Sequence, residues 1–203
     1  MEDLLGVSSA VLSIAFIWPQ VGRSLRHNTT HGISPFGLVH GLIGAMLWFS
    51  YGVSERLVPV YVANASFLTA QSLIILVAFR NGHITAGTLR MAYPVAGAIF
   101  VTAMFAPAGA VGITAVVISG SAIVPQFLHV VRTDNLHGIS IVSYLLTIVT
   151  CTSWLLYGFV ISDLMISAQN FVAIPALSYI TVKAWRWRMR TASVAESTVQ
   201  PAR

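Results

Sequence analysis

Apolar residues run through this chain in seven long stretches, and short loops between them hold most of the charged side chains. Each stretch is close to the ~20 residues that an α-helix needs to cross ~30 Å of hydrocarbon. A membrane β-barrel would instead show ~10-residue segments of alternating hydrophobicity. The pattern therefore predicts an all-α membrane protein. The predicted spans are Asp3–Val21, Ile33–Val53, Leu57–Phe79, Leu89–Ala106, Gly109–Val131, Ile139–Ile161 and Leu164–Ala184.

The composition supports the same class. Of the 203 residues, 56% are hydrophobic and 8% are charged, whereas a soluble domain carries roughly 25% charged residues. The chain opens with Glu2 and Asp3 rather than a basic segment, which predicts a retained first helix and not a cleaved signal peptide. Cys151 is the single cysteine, so no disulfide framework and no cysteine metal site are expected. No cofactor and no metal are predicted.

The positive charges predict an orientation in the lipid bilayer. Ten of the eleven lysine and arginine residues lie on one side of the predicted spans, and only Arg56 lies on the other. The positive-inside rule then places the N-terminus outside and the C-terminus in the cytoplasm. Although the formal net charge is +5, this placement argues against nucleic acid as a partner.

One string of residues occurs twice, 106 positions apart and without a gap. Gly6 and Gly112, and likewise Ser13 and Ser119, fit the same offset. The first copy consists of Pro19-Gln20, His31-Gly32-Ile33-Ser34, Trp48, Tyr51-Gly52 and Asn64, and the second of Pro125-Gln126, His137-Gly138-Ile139-Ser140, Trp154, Tyr157-Gly158 and Asn170. An internal repeat of this kind determines the fold, because each copy forms one structural unit.

Each copy covers three spans, and an odd number would leave the second copy inverted. Arg26 and Arg132 nevertheless lie at equivalent positions on the same charged side. One extra span, Leu89–Ala106, must therefore restore the orientation. The prediction is a 3+1+3 bundle of two parallel triple-helix repeats, a plan that recurs in transporters. The expected domains are residues 1–80, the linker with the extra helix at 81–107, the second repeat at 108–186 and a cytoplasmic tail at 187–203.

The repeated Trp and Asn residues are the candidate binding groups. Trp48 lies about five residues past the middle of its span and Asn64 about four before the middle of the next, so both lie roughly 6–8 Å outside the midplane. Trp154 and Asn170 repeat this arrangement. Carboxamides donate and accept hydrogen bonds, and an indole adds an apolar face and one donor, which suits a neutral polyol. The alternative is that Trp packs and Asn bridges helices.

Further residues are predicted to shape this cavity and to control access to it. Gly44 and Thr150 lie one turn before the tryptophans and are expected to limit the cavity size. Proline frees the carbonyl four residues earlier and kinks a helix, so the two Pro-Gln pairs predict an inner gate; a static kink is the alternative. An outer gate is predicted with an Arg56–Asp163 pair, although such loop charges are often only solvated. The inner-gate candidates are Pro19, Gln20, Pro125 and Gln126, and the outer-gate candidates are Tyr51, Tyr157, Arg56 and Asp163.

No acidic residue falls well inside a span, which weighs against proton coupling. His40 and His129 are the ionisable exceptions, and neither has a histidine partner at the repeat offset. They are interpreted as packing histidines. The sequence lacks a paired intramembrane aspartate and the HExxH and GxSxG motifs, so no enzyme activity is predicted.

The doubled Pro-Gln, Ala45-Met46-Leu47-Trp48 with Tyr51-Gly52, and Trp154 with Tyr157-Gly158-Phe159 resemble the SWEET sugar transporters of the PQ-loop superfamily. The resemblance covers nearly the whole chain. It implies facilitated diffusion of mono- or disaccharides by alternating access, with Trp48, Asn64, Trp154 and Asn170 binding sugar. The half-size relatives, SemiSWEETs, dimerise to make what this chain contains in tandem. Tandem repeats remove the need for a dimer without forbidding a homo-oligomer.

The chain also departs from the family pattern. Pro35 has Ile141 as its repeat partner, and Ala63 stands opposite Gln169, which adds a polar group beside the pocket. The short loops and tail suggest a prokaryotic plasma-membrane protein. Two alternatives stay open at this point: a proton-coupled PQ-loop transporter for amino acids or small metabolites, and a PQ-loop receptor that transports nothing.

Overall fold

The computed structural model describes residues 1–30, 34–133, 136–137 and 139–199, with side chains up to Thr191. Three residues of the first repeated string, His31, Gly32 and Ile33, lie outside the described residues, as does Gly138 of the second string. The last four residues of the predicted tail also lie outside them.

The described residues are helical almost throughout. The helices are α1 Glu2–His27, α2 Pro35–Ser54, α3 Val58–Arg80, α4 Ala86–Phe105, α5 Ala108–Ser121, α6 Ile123–Arg132, α7 Ile141–Val160 and α8 Leu164–Val199. Counting α5 and α6 as one span, seven helical segments in the described part of the chain are long and apolar enough to cross a membrane. The predicted all-α fold with seven spans is therefore confirmed.

Two serines of the repeated strings begin the second helix of each repeat. The Ser34 hydroxyl accepts the Gly37 N–H, and the Ser140 hydroxyl accepts the Ser143 N–H, each at 3.3 Å. A hydroxyl in this position satisfies one of the backbone donors that a helix N-terminus leaves unpaired. Pro35 stands in the first turn of α2, where its missing N–H costs nothing. It therefore starts this helix rather than kinking it.

The fifth predicted span is present but interrupted. Helix α5 ends at Ser121 and α6 begins at Ile123. Pro125 cannot donate to the Ser121 carbonyl, which explains a break at this point. Helix α1 nevertheless continues through the equivalent Pro19 as far as His27. Ala122 itself keeps helical φ and ψ angles of −61° and −32°, so the break at the predicted inner gate is one of backbone hydrogen bonding.

The two repeats interlock through their helices. Helix α1 packs against α3 of its own repeat and against α7 of the other, and α2 packs against α3 and α5. The first helix of each repeat therefore contacts the second helix of the other. Helix α4 packs against α2, outside both repeats. We call the side with the α2–α3 and α7–α8 loops the hairpin end, and the side with Pro19 and Pro125 the proline end.

Candidate functional site

A cavity of about 180 Å³ lies between the two repeats. Helices α1, α2, α3, α7 and α8 all contribute to its wall. The lining residues are Ser13, Phe16, Trp48, Val60, Ala63, Asn64, Phe67, Thr150, Trp154, Ile166 and Gln169. Four residues predicted to bind substrate therefore meet in one place, namely Trp48, Asn64, Thr150 and Trp154. The wall does not include the other two predicted residues, Gly44 and Asn170.

Both indole N–H groups are engaged across the repeat interface. Trp48 Nε1 donates to Ser119 Oγ, and Trp154 Nε1 donates to Ser13 Oγ, each at 2.9 Å. The sequence showed the two serines at the repeat offset, but it gave them no role. The expectation that each indole offers a donor to substrate does not match this arrangement, because both N–H groups already have acceptors. What the indoles offer the cavity is their ring faces.

Each indole is also held by the tyrosine one turn further along its helix. The ring centroids of Trp48 and Tyr51 are 5.6 Å apart at 87°, and those of Trp154 and Tyr157 are 5.7 Å apart at 74°. Edge-to-face contacts of this kind add to the energy of apolar burial. Together with the serine bonds, they fix the plane of each indole at the cavity wall.

The two asparagines are bonded alike but differ in exposure. Asn64 donates to the Val60 carbonyl at 2.8 Å and Asn170 to the Ile166 carbonyl at 2.9 Å. Asn64 is half-buried and lines the cavity, whereas Asn170 is only 1% exposed. Gln169, the residue before Asn170, lines the cavity on that side. The sequence flagged Gln169 only as an extra polar group.

Gly44 serves helix packing instead of the cavity wall. A Cβ built at Gly44 would lie 3.2 Å from Ser119 Oγ, so a larger residue would crowd α5. The missing side chain lets α2 approach the serine that accepts the Trp48 N–H. Thr150 lines the cavity and donates its hydroxyl to the Leu146 carbonyl at 2.9 Å.

At the hairpin end Asp163 bonds Tyr51 rather than Arg56. The Tyr51 hydroxyl donates to Asp163 Oδ2 at 2.7 Å, and Asp163 Oδ1 accepts the N–H groups of Met165 and Ile166. The Asp163 carboxylate thus caps the N-terminus of α8 and accepts a hydrogen bond from Tyr51 of α2. No ion pair joins Arg56 to Asp163 among the described residues.

Arg56 has a backbone role at the hairpin end. Its φ is 57°, and Ser162, its equivalent in the second repeat, has a φ of 58°. Residues other than glycine adopt this left-handed conformation uncommonly, and mostly in turns. Arg56 therefore forms the α2–α3 turn, as Ser162 forms the α7–α8 turn.

Two glycines allow the tyrosines to pack across the repeat interface at this end, and we call this arrangement the tyrosine seal. A Cβ built at Gly112 would lie 2.9 Å from Tyr51 Cε2, and one built at Gly6 would lie 2.8 Å from Tyr157 Cε2. Each tyrosine therefore packs on the first helix of the opposite repeat, and both are buried. A side chain at either glycine would separate the repeats.

The inner-gate candidates lie at the proline end. Pro19, Gln20 and Pro125 are exposed, while Gln126 is half-buried.

A histidine meets the helix break across the repeat interface. His40 Nε2 on α2 lies 3.1 Å from Ser121 Oγ at the end of α5. The repeat pattern did not indicate this contact, because His40 has no histidine counterpart in the second repeat.

Two parallel triple-helix repeats around a central cavity define a polytopic membrane protein of the transporter type. Comparison with known proteins agrees. Residues 107–182 match the family model described as sugar efflux transporter for intercellular exchange. The chain is 31% identical over 85 residues to the sugar transporter SemiSWEET of Leptospira biflexa, covering 42% of this chain and all of that protein.

A second relative and a solved structure extend the match. The sugar transporter SemiSWEET of Escherichia coli is 33% identical over 63 residues, which cover 31% of this chain and 71% of that protein. A eukaryotic SWEET transporter structure superposes with a TM-score of 0.74 at 15% identity, covering 93% of this chain and 99% of that one. The chain belongs to the SWEET and SemiSWEET family.

Proposed function

We propose that this protein is a facilitative transporter that moves a neutral sugar in either direction by alternating access. The observation that carries the proposal is the cavity between the repeats. Its described wall combines two indole faces with the amides of Asn64 and Gln169, and contains no ionisable side chain. Aromatic faces pack against the C–H surface of a sugar ring, and amides bond its hydroxyl groups. The sugar-transporter names of the relatives support the same substrate class.

The absence of ionisable groups from the described cavity wall favours uniport over proton coupling. Proton relays through membranes use Asp, Glu or His chains. His40 bonds Ser121 at the helix break and is not part of that wall. Substrate concentration alone would then drive the transport.

In this proposal the packing of Tyr51 and Tyr157 across the repeat interface closes the hairpin end in one of the two access states. We infer that the cycle exchanges this state for one in which the tyrosine seal opens and the proline end closes. The backbone hydrogen bond that Pro125 cannot make gives the junction of α5 and α6 the role of a hinge in that movement. The proline end is cytoplasmic in this proposal, the N-terminus is outside, and the protein lies in a prokaryotic plasma membrane.

The domain boundaries follow from the same proposal. Residues 1–80 and 108–186 both contribute to the cavity wall, residues 81–107 hold the inverting helix α4, and residues 187–203 form the cytoplasmic tail. The bases of these boundaries are the repeat offset and the position of α4 outside both repeats.

Uptake of labelled sugars into proteoliposomes tests the proposal. Wild-type protein should give saturable uptake that is equal with and without a pH gradient. Trp154→Ala should abolish it, and Trp185→Ala is the matched control, because Trp185 is 56% exposed and outside the cavity wall. Uptake that requires the gradient would favour a proton-coupled relative. Absence of uptake for every sugar would favour a receptor. Normal uptake by Trp154→Ala would exclude the cavity as the sugar-binding site.

A further inference from the structure

We propose that Gln169 is an amide of the second repeat that recognises the hydroxyl groups of the sugar. This inference rests on the proposed sugar transport and concerns the selectivity of that site. It makes recognition asymmetric, because the counterpart of Gln169 in the first repeat is Ala63, which has no polar side chain.

The first argument is the hydrogen bonding of the other polar residues in the cavity wall. The Trp48 and Trp154 N–H groups donate to serines of the opposite repeat. Ser13 accepts from Trp154 and donates to the Ser9 carbonyl at 2.9 Å. Thr150 donates its proton to a backbone carbonyl of its own helix. These groups have little hydrogen-bonding capacity left for a ligand.

Gln169 differs from all of them. Among the described residues its side chain has no hydrogen-bond partner, and it lines the cavity. Its two N–H donors and its carbonyl acceptor are therefore available to a ligand. Asn64 supplies further hydrogen-bonding capacity from the first repeat. Only one of its N–H groups is bonded, to the Val60 carbonyl.

The second argument is the position of Asn170. Its side chain is 1% exposed, and its amide bonds the Ile166 carbonyl one turn back in the same helix. Asn170 is also outside the cavity wall, whereas Gln169 is part of it. The residue with the family's expected identity is thus covered, and its neighbour faces the ligand space.

The two arguments together define what Gln169 would select. A carboxamide that both donates and accepts pairs best with a hydroxyl group, which does the same. A sugar lacking that one hydroxyl would leave the amide unpaired in a partly dry cavity, which costs affinity. Gln169 therefore discriminates between a sugar and one of its monodeoxy analogues.

Competition by a set of monodeoxy sugars against uptake of the parent sugar tests this inference. Gln169→Met removes the hydrogen bonds at similar side-chain length, and Gln169→Ala reproduces the first repeat. Both should raise the KM for the parent sugar about 3- to 10-fold, equivalent to about 0.7 to 1.4 kcal/mol. Both should also abolish the discrimination against one particular deoxy analogue, an effect that general destabilisation does not produce.

Gln71→Met is the matched control. Gln71 is also a glutamine within a span, but it bonds the Leu38 carbonyl at 3.2 Å and is outside the cavity wall. Its substitution should keep the discrimination of the wild type. If the wild type transports sugar and both Gln169 variants keep its KM and its discrimination, the inference is wrong and the proposed function stands. If the wild type transports no sugar, both are wrong.

Discussion

The Gly112→Ala substitution should force open the tyrosine seal at the hairpin end. The added Cβ would lie 2.9 Å from both Tyr51 Cε2 and Met165 Cγ, whereas carbon atoms in favourable contact are about 3.5–4.0 Å apart. Tyr51 cannot move aside freely, because it is bonded to Asp163 and packed edge-on against Trp48. The strain therefore acts on the distance between α5 and α2, which is the contact between the two repeats.

The magnitude follows from the cost of overpacking, which is typically 1–3 kcal/mol. If that strain is present only in the closed arrangement, it shifts the ratio of open to closed hairpin ends about 5- to 150-fold. A thiol in the cavity reports this ratio. Ala63→Cys places it in the wall, in a background where Cys151→Ser removes the native thiol. The labelling rate with a membrane-impermeant maleimide added at the hairpin end should rise by the same factor.

Gly109→Ala is the control for this experiment. It lies on the same helix and makes the same chemical change, but a Cβ there meets no atom within 4 Å. Any effect of helix propensity is therefore shared by both variants, and only the contact with Tyr51 differs. Equal labelling rates for Gly112→Ala and Gly109→Ala, with both proteins folded, would refute the idea that this glycine contact holds the seal.

Two further predictions concern single hydrogen bonds. Tyr51→Phe removes the bond to Asp163 and should increase hairpin-end labelling about 3- to 10-fold, while Tyr157→Phe should change it little, since the Tyr157 hydroxyl has no such bond among the described residues. A larger effect of Tyr157→Phe would contradict this. Ser13→Ala removes the acceptor for the Trp154 N–H and should lower the free energy of unfolding by about 1–3 kcal/mol in detergent melts. Ser8→Ala, which loses only a bond to a carbonyl of its own helix, should cost less, and equal costs would argue against the indole bond.

Much of the fold could be predicted from the sequence because it depends on length, period and charge. The apolar stretches predict the spans, and the offset of 106 with Arg26 and Arg132 on one side requires an extra helix between the repeats. Depth along a helix follows from counting residues. For this reason Trp48, Asn64, Trp154 and Asn170 were expected at one level, and the structure places the first three of them in one cavity wall.

The remaining details depend on how each helix is rotated about its axis and on which side chains compete for the same hydrogen-bond partner. Counting residues along a helix predicts neither. Asn170 matches Asn64 in sequence, yet Gln169 lines the cavity while Asn170 is buried. Likewise the charges suggested that Asp163 pairs with Arg56. The short Asp163 side chain instead serves the start of α8, and the Tyr51 hydroxyl lies within its reach.

A different limit applies to the backbone at the prolines. Pro19 and Pro125 are equivalent in sequence, but only the second coincides with a helix break. Proline removes the same hydrogen bond in both places, so the outcome depends on how neighbouring helices support each segment. His40 contacts Ser121 at the break, and no repeat pattern could have indicated that contact.

The interlocking of the repeats has a consequence for how this protein can evolve. If two identical halves formed the same cavity, one genetic change would alter both walls at once, and any contact improved on one side would be imposed on the other. In this chain each wall is encoded separately. The residue equivalent to Asp163 in the first repeat is Leu57, and the one equivalent to Gln169 is Ala63. The second half therefore has a helix cap and a polar side chain that the first half lacks. A single mutation can therefore adjust the fit to an asymmetric molecule such as a sugar, while the opposite wall continues to hold the two halves together.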